Sequence, residues 1–235
     1  MKVAVVLTQW KRSTLEQQLQ HVLNQKDITI DYLIVFQNEN HVDITHLKSI
    51  YNFIHVKSDY NTKYFGRFAY LFTLPVDFCI VLDDDIMPAP FCFKNYISQC
   101  SFKNAIIGGN GRFGYLSPYR NQLTQPSDVG LRKGLKVDFV GHLWCFKKDW
   151  LYYMFGTKPY TYDTGEDMHF CFSAKINGNI DSYVGEQTHV STRCDLSNNK
   201  YAADQFASYR TTKKELRIAV EQYWLDKGLK FIESN

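Results

Sequence analysis

Three carboxylates in a row, Asp83, Asp84 and Asp85, follow directly on the apolar run FCIVL. Like charges this close repel one another and cost stability unless something positive sits among them. Three answers are open: a metal ion, a phosphorylated ligand, or plain solvent. Hard carboxylate oxygens suit Mg2+ or Mn2+, and a turn after Leu82 would bring the first and third carboxylates together. A second acidic pair, Glu166 and Asp167 in TGEDMHF, stands where a helix is expected to begin. The helix dipole favours negative charge there, so ordinary capping competes with a chemical role.

The elements that must carry these groups follow from the apolar pattern. VAVVL, residues 3–7, fits a strand covered on both faces in a parallel sheet. Ser13 with Glu16 three positions on predicts a capping box, and Leu15, Leu19, Val22 and Leu23 then fall on one helical stripe. Further strands are expected over residues 31–38 and 53–56, then at FCIVL itself. Between them Phe65, Phe68 and Phe72 recur at helical spacing within residues 59–74, closed by Pro75. This alternation predicts an α/β fold, a twisted and mostly parallel sheet flanked by helices. Such sheets bind ligands at the carboxyl ends of their strands, so Thr8, Asn38 and the acidic triplet should gather along one edge.

The second half is less regular. AIIGG (105–109) and VDFVG (137–141) read as strands, separated by a polar stretch, residues 110–136, whose length suits a functional or mobile loop. Helices are expected over 167–177 and near 212–226, the latter with Leu216, Val220 and Tyr223 on one face. SYV (182–184) reads as a strand, and a polar loop follows it.

With 235 residues, 45% of them hydrophobic and 16% aromatic, the chain supports one substantial core and one domain. Its formal charge of +3, with both signs interspersed, excludes the polyanion-binding surface of a nucleic-acid protein but leaves a small anionic ligand open. The six cysteines stand singly, most in apolar runs, without zinc spacing, and read as buried free thiols of a reducing compartment. No segment reaches the roughly 18 uninterrupted apolar residues of a membrane span. A soluble, cytoplasmic protein is expected.

IVLDDDIMP resembles the DxD motif of glycosyltransferases with the GT-A fold. TQWKR after the first strand is similar to that family's nucleotide-side loop, VDFVGHLWCFKKDWL to its acceptor-side strand and helix, and TGEDMHF to its ED motif. The four occur in the family's order and cover most of residues 3–189. The resemblance, family-2-like with similarity to exostosin-type domains, implies a single GT-A domain over 1–235. Residues 1–109 would form the nucleotide-binding half and 110–235 the acceptor half.

It further implies transfer of a sugar from a nucleotide diphosphate sugar, with UDP the expected nucleotide, to a hydroxyl on a glycan or glycoprotein. Inversion is expected, in a bacterial or viral enzyme assisted by Mn2+ or Mg2+. The departing diphosphate accumulates charge, and a divalent cation stabilises it. By motif, Asp85 and Asp83 would hold the metal, with Asp83 and Asp84 on the donor side. Asp167, paired with Glu166, would be the general base. His189 resembles a third metal ligand, and imidazole would favour Mn2+.

Thr8, Gln9, Arg12 and Asn38 resemble positions that hold the base. Lys63 and Arg67, placed on the helix before the DxD strand, could reach base or phosphates, a solvated basic face being the plain alternative. Arg193 could close onto the diphosphate as a lid residue. His142 and Trp144 could line the sugar pocket, or Trp144 could be core. Arg112, Tyr115 and Tyr119 could frame the acceptor.

Rival chemistries fit less well. A haloacid-dehalogenase-type phosphatase needs Thr or Val where Met87 stands, and a nucleotidyltransferase of the pyrophosphorylase kind needs a glycine-rich loop that TQWKRST lacks. A sugar-nucleotide or cation-binding module without catalysis remains the non-enzyme alternative.

Overall fold

The computed structural model describes residues 1–39, 42–118, 134–197 and 214–232. Its centre is an eight-stranded sheet in the order β3-β2-β1-β4-β7-β5-β8-β6. The strands are β1 (Val3–Gln9), β2 (Tyr32–Asn38), β3 (Ile54–Ser58), β4 (Phe78–Leu82), β5 (Ile106–Arg112), β6 (Leu135–Val137), β7 (Phe139–Lys147) and β8 (Ser182–Val184). The helices are α1 (Leu15–Leu23), α2 (Thr45–Ile50), α3 (Gly66–Ala69), α4 (Cys92–Lys103), α5 (Leu151–Phe155), α6 (Glu166–Gly178) and α7 (Lys214–Asp226).

Strands β1 to β4 pair in parallel, with Val3 level with Phe78 and Leu7 level with Leu82. Their continuous apolar runs are buried on both faces, as a parallel sheet wrapped by helices requires. The sheet is mostly parallel, as expected, and its other half mixes directions, with β5 parallel to β8. β7 runs antiparallel to both β4 and β5, and β6 antiparallel to β8. That reversal carries the start of β7 to the edge where β1, β2 and β4 end: Leu143 pairs with Leu82, and the His142 carbonyl accepts from the Asp83 amide at 2.9 Å. A Cβ on Gly108 would lie 2.1 Å from Val140 Cβ, so only glycine lets β5 and β7 approach this closely.

Several local expectations are corrected. Residues 59–74 hold no single long helix: Lys63 takes a left-handed φ of 53°, and only the four-residue α3 and a following 3-10 turn, Tyr70–Thr73, are helical. Phe65 and Phe68 are buried while Phe72 is exposed. The Ser13/Glu16 capping box is absent because the N-cap falls one residue later, at Thr14, ahead of a helix that starts at Leu15, and the Thr14 hydroxyl goes instead to the Asp84 carbonyl at 2.5 Å. On α7 the buried residues are Val220, Glu221 and Trp224, whereas Leu216 and Tyr223 are only half-buried. Tyr119 and most of residues 110–136 lie outside the described residues, as do Thr212 and Thr211.

All six cysteines are buried and free, as expected. Among the described residues no helix is long and apolar enough to cross a membrane. The core beneath the site is aromatic. Phe68 packs on Trp144, Phe146 and Phe170 with ring centroids 5.7, 6.1 and 5.9 Å away, tying α3, β7 and α6 together. Trp144, 1% exposed and donating to the Val140 carbonyl at 2.9 Å, belongs to this core and not to an open sugar pocket.

Candidate active site

After β4 the chain turns, and the Ile86 amide reaches back to the Asp83 carbonyl at 3.3 Å. Helix α1 braces this turn from below, with Gln18 Nε2 donating to the carbonyls of Asp83 and Ile86 at 2.7 and 3.1 Å. Fixed in this way, the three carboxylates stay half-buried at the carboxyl edge of the parallel strands, where α/β sheets place ligands.

The second acidic pair opens α6. Gly165, with φ of 78°, sets the helix start in a backbone region that other residues enter only with strain. Glu166 is buried and Asp167 half-buried, its Oδ1 accepting from the Met168 amide at 2.8 Å.

Arg67 joins the two motifs. It is 4% exposed, with one guanidinium nitrogen on Asp83 and the other 3.0 Å from Glu166 Oε1, and its plane lies 4.6 Å over the Trp144 ring. Neither a solvated face nor an open phosphate contact describes it: both terminal nitrogens bond carboxylates, and Nε is buried with no partner among the described residues. Burial alone would weaken the guanidinium's hold on its proton, and Asp83 and Glu166 more than reverse that.

Two further arginines complete the network. Arg12 bonds Asp84 and stands 3.6 Å from Asp85 Oδ2, and Arg217 of α7 donates to Asp167 Oδ2 at 2.7 Å. Five carboxylates therefore share three guanidiniums, an excess of two negative charges when all are ionised. The imbalance shows in the acidities. Burial pushes Asp84 up to about 7 although Arg12 pulls the other way. Burial, then Asp167, push Glu166 up to about 7 against the pull of Arg67. Asp85 is also raised, by burial first and then by Asp83, with His142 and Arg12 opposing and Asp195 adding a like charge.

The remaining predicted residues divide into those at this edge and those spent on structure. Thr8 Oγ1 reaches the Leu82 carbonyl at 3.4 Å, just below the triplet. Gln9 is buried, with its amide donating to the carbonyls of Trp10 and Arg12 and its oxygen accepting from Gln37 at 2.9 Å. Asn38 is buried and holds the 61–63 loop, donating to Asn61 Oδ1 and the Lys63 carbonyl and accepting from Thr62. Lys63 precedes α3 instead of riding on it, and its exposed ammonium lies 4.0 Å from Asp163.

His189 is exposed and caps its own 3-10 turn, with Nδ1 2.7 Å from Ser191 Oγ. Arg193 is half-buried, and its carbonyl accepts from the Ala89 amide at 2.9 Å. Arg112, at the end of β5, is exposed.

Sequence reasoning missed Arg217 and Asp195. Arg217 shares a helical face with Glu221 and Trp224 at spacings of four and three residues, so two charges inside a buried stripe were the available signal. Asp195 accepts from the Met87 amide at 3.0 Å, a contact across 108 residues that no local pattern reveals.

A divalent cation suits this arrangement by charge, since the excess over the guanidiniums is two. Among the described residues, though, no three His, Cys, Asp or Glu side chains form a ready-made cage. That is the ordinary condition of an ion shared between one or two carboxylates and substrate phosphates.

Structural comparison finds S. aureus TarS. Against TarS 1-349 the TM-score is 0.57 at 14% identity, over 79% of this chain and 60% of that one. Against a longer TarS chain it is 0.60 at 12% identity, over 97% and 43%. Against TarS 1-349 in complex with UDP it is 0.56 at 14% identity, over 79% and 60%. The chain thus spans less than two thirds of the length of these structures. No protein-family model and no curated protein matches the sequence. The likeness is one of fold, the GT-A arrangement of a mostly parallel sheet flanked by helices.

Proposed function

We propose that the protein is a glycosyltransferase that moves a sugar from a nucleotide diphosphate sugar, with UDP as the nucleotide, to an acceptor hydroxyl with inversion at the anomeric carbon. The observation that carries this reading is the Arg67 bridge, which makes one site of the Asp83 turn and the Glu166–Asp167 helix start. A donor-holding carboxylate group and a base must lie on either side of the same reacting carbon, and this bridge fixes their separation. The UDP complex of TarS, a protein of like fold, favours the nucleotide.

Asp85, whose nearest ion-pair partner among the described residues is Arg12 at 3.6 Å, and Asp83 are the residues to hold Mn2+ or Mg2+. His189, exposed and capping its own 3-10 turn, forms no group of three with Asp83 and Asp85 and is left out of this ligand set. When bound, the ion supplies positive charge to the departing diphosphate. Arg193, half-buried in the loop after His189, is the side chain to close onto the diphosphate. Asp167 takes the proton of the acceptor hydroxyl as its oxygen bonds to the anomeric carbon, while Glu166, buried and held by Arg67, keeps the helix start in place.

The test is release of nucleotide from a panel of UDP-, GDP- and dTDP-sugars with and without Mn2+. Slow, metal-dependent hydrolysis of one donor is expected. Tight binding with no release under any condition would leave a binding module in its place.

A further inference from the structure

The C-terminal helix meets the candidate site at three points along its length, Arg217 and Glu221 on one face and Tyr223 on another. Arg217 bonds Asp167 at 2.7 Å, and both side chains are 16% exposed. One turn on, the fully buried Glu221 accepts the amides of Tyr115 and Leu116 at 3.0 and 2.6 Å, fixing the chain that leaves β5. Tyr223 then donates to the Lys158 carbonyl at 2.9 Å, and its ring lies 5.8 Å from Tyr160 in the segment leading to Gly165. One helix thus holds the carboxylate and both chain segments that flank it.

We propose that Arg217 is a positioning residue for Asp167 and that α7 assembles the acceptor side of the site. The proposal rests on the reading of Asp167 as the base. With Oδ1 bound to the Met168 amide and Oδ2 to Arg217, the carboxylate has one orientation, and each oxygen keeps a second lone pair for an incoming hydroxyl. The guanidinium is itself held in place, 5.7 Å from the Phe139 ring centre and 5.9 Å from that of Tyr115. Partly buried pairs of this kind contribute little net stability, because desolvation offsets the attraction. The consequence of the pair is therefore in geometry: without Arg217, Asp167 is free to rotate away from the acceptor oxygen while the donor site, built on β1, β4 and α3, is untouched.

The test compares wild type with Arg217→Met, Arg217→Lys and Tyr223→Phe, using UDP with Mn2+ as the binding probe and the donor found above for turnover. Arg217→Met should lower kcat by about 100-fold or more, with the donor KM and the UDP-induced rise in Tm within twofold of wild type. Arg217→Lys should regain roughly a tenth of the lost rate or better. Tyr223→Phe, which removes only a partly exposed hydroxyl, should slow turnover of that donor severalfold and leave the donor KM alone.

A Met variant within threefold of wild-type kcat overturns the positioning role. So does a Met variant that loses donor binding and turnover together without rescue by Lys, which would make the contact purely structural. Should Arg217→Met not fold, an unchanged turnover of that donor in Tyr223→Phe overturns the assembly role of α7 by itself. A wild-type protein that releases no nucleotide from any donor refutes the functional reading instead, and Arg217 then has no base to position.

Discussion

Arg67 Nη2 stands 3.0 Å from Glu166 Oε1, both groups buried, with the other terminal nitrogen of the same guanidinium on Asp83. Removing one partner of such a cluster leaves the others charged and desolvated. Arg67→Met should therefore cost about 3–5 kcal/mol of stability in urea unfolding, and Arg67→Lys less. An unfolding midpoint unchanged in the Met variant would mean that the bridge does not form.

The carboxyl of Glu221, pushed up to about 7 by burial and by the neighbouring Asp138 charge, links stability to pH. The native protein holds this proton more tightly than the unfolded chain, whose Glu titrates near 4.5. The stabilisation is complete below about pH 4.5 and is lost as pH rises towards 7. Asp84 and Glu166 act in the same direction. The Tm should therefore fall between about pH 5 and pH 7.5, and Glu221→Gln, which cannot ionise, should flatten part of that slope by about 1–3 kcal/mol. Identical slopes for the two proteins would contradict the assignment.

Asp167→Asn preserves shape and removes the base. Donor binding, followed by the UDP-induced rise in Tm with Mn2+ present, should remain, and transfer should fall about 100-fold or more. Transfer at the wild-type rate would remove Asp167 from the mechanism.

What was legible in the sequence, and what was not, has a physical division. Strands β1, β2 and β4 announce themselves because a strand covered on both faces must be apolar throughout, and VAVVL and FCIVL are. The acidic triplet was visible because charge abutting such a run is conspicuous, and the GED pair because it stands where a helix is expected to begin and resembles the ED motif. Strand direction is not encoded in an apolar run, so the antiparallel course of β7 could not be read from VDFVGHLWCF.

The arginine partners were hidden differently. Nothing local distinguishes the buried Arg67 from a solvated neighbour such as Lys63, since its burial depends on carboxylates 16 and 99 residues away. The cap expected at Ser13 likewise leaves no local sign that the next residue, Thr14, gives its hydroxyl to the triplet's backbone. The resemblance gave the motif residues; the contacts that join them came only with the fold.

The central claim is that the acidic turn holds a cation against a nucleotide diphosphate, with Asp85 as the main protein ligand. Titration of UDP into the protein by calorimetry, with Mn2+ or with EDTA, tests it most directly. UDP and Mn2+ should each tighten the binding of the other by tenfold or more, a coupling of at least about 1.4 kcal/mol, and Asp85→Asn should abolish that coupling while leaving the ligand-free Tm unchanged or higher, since it removes a like charge. UDP binding of equal affinity in EDTA, or coupling that survives in Asp85→Asn, would contradict the account.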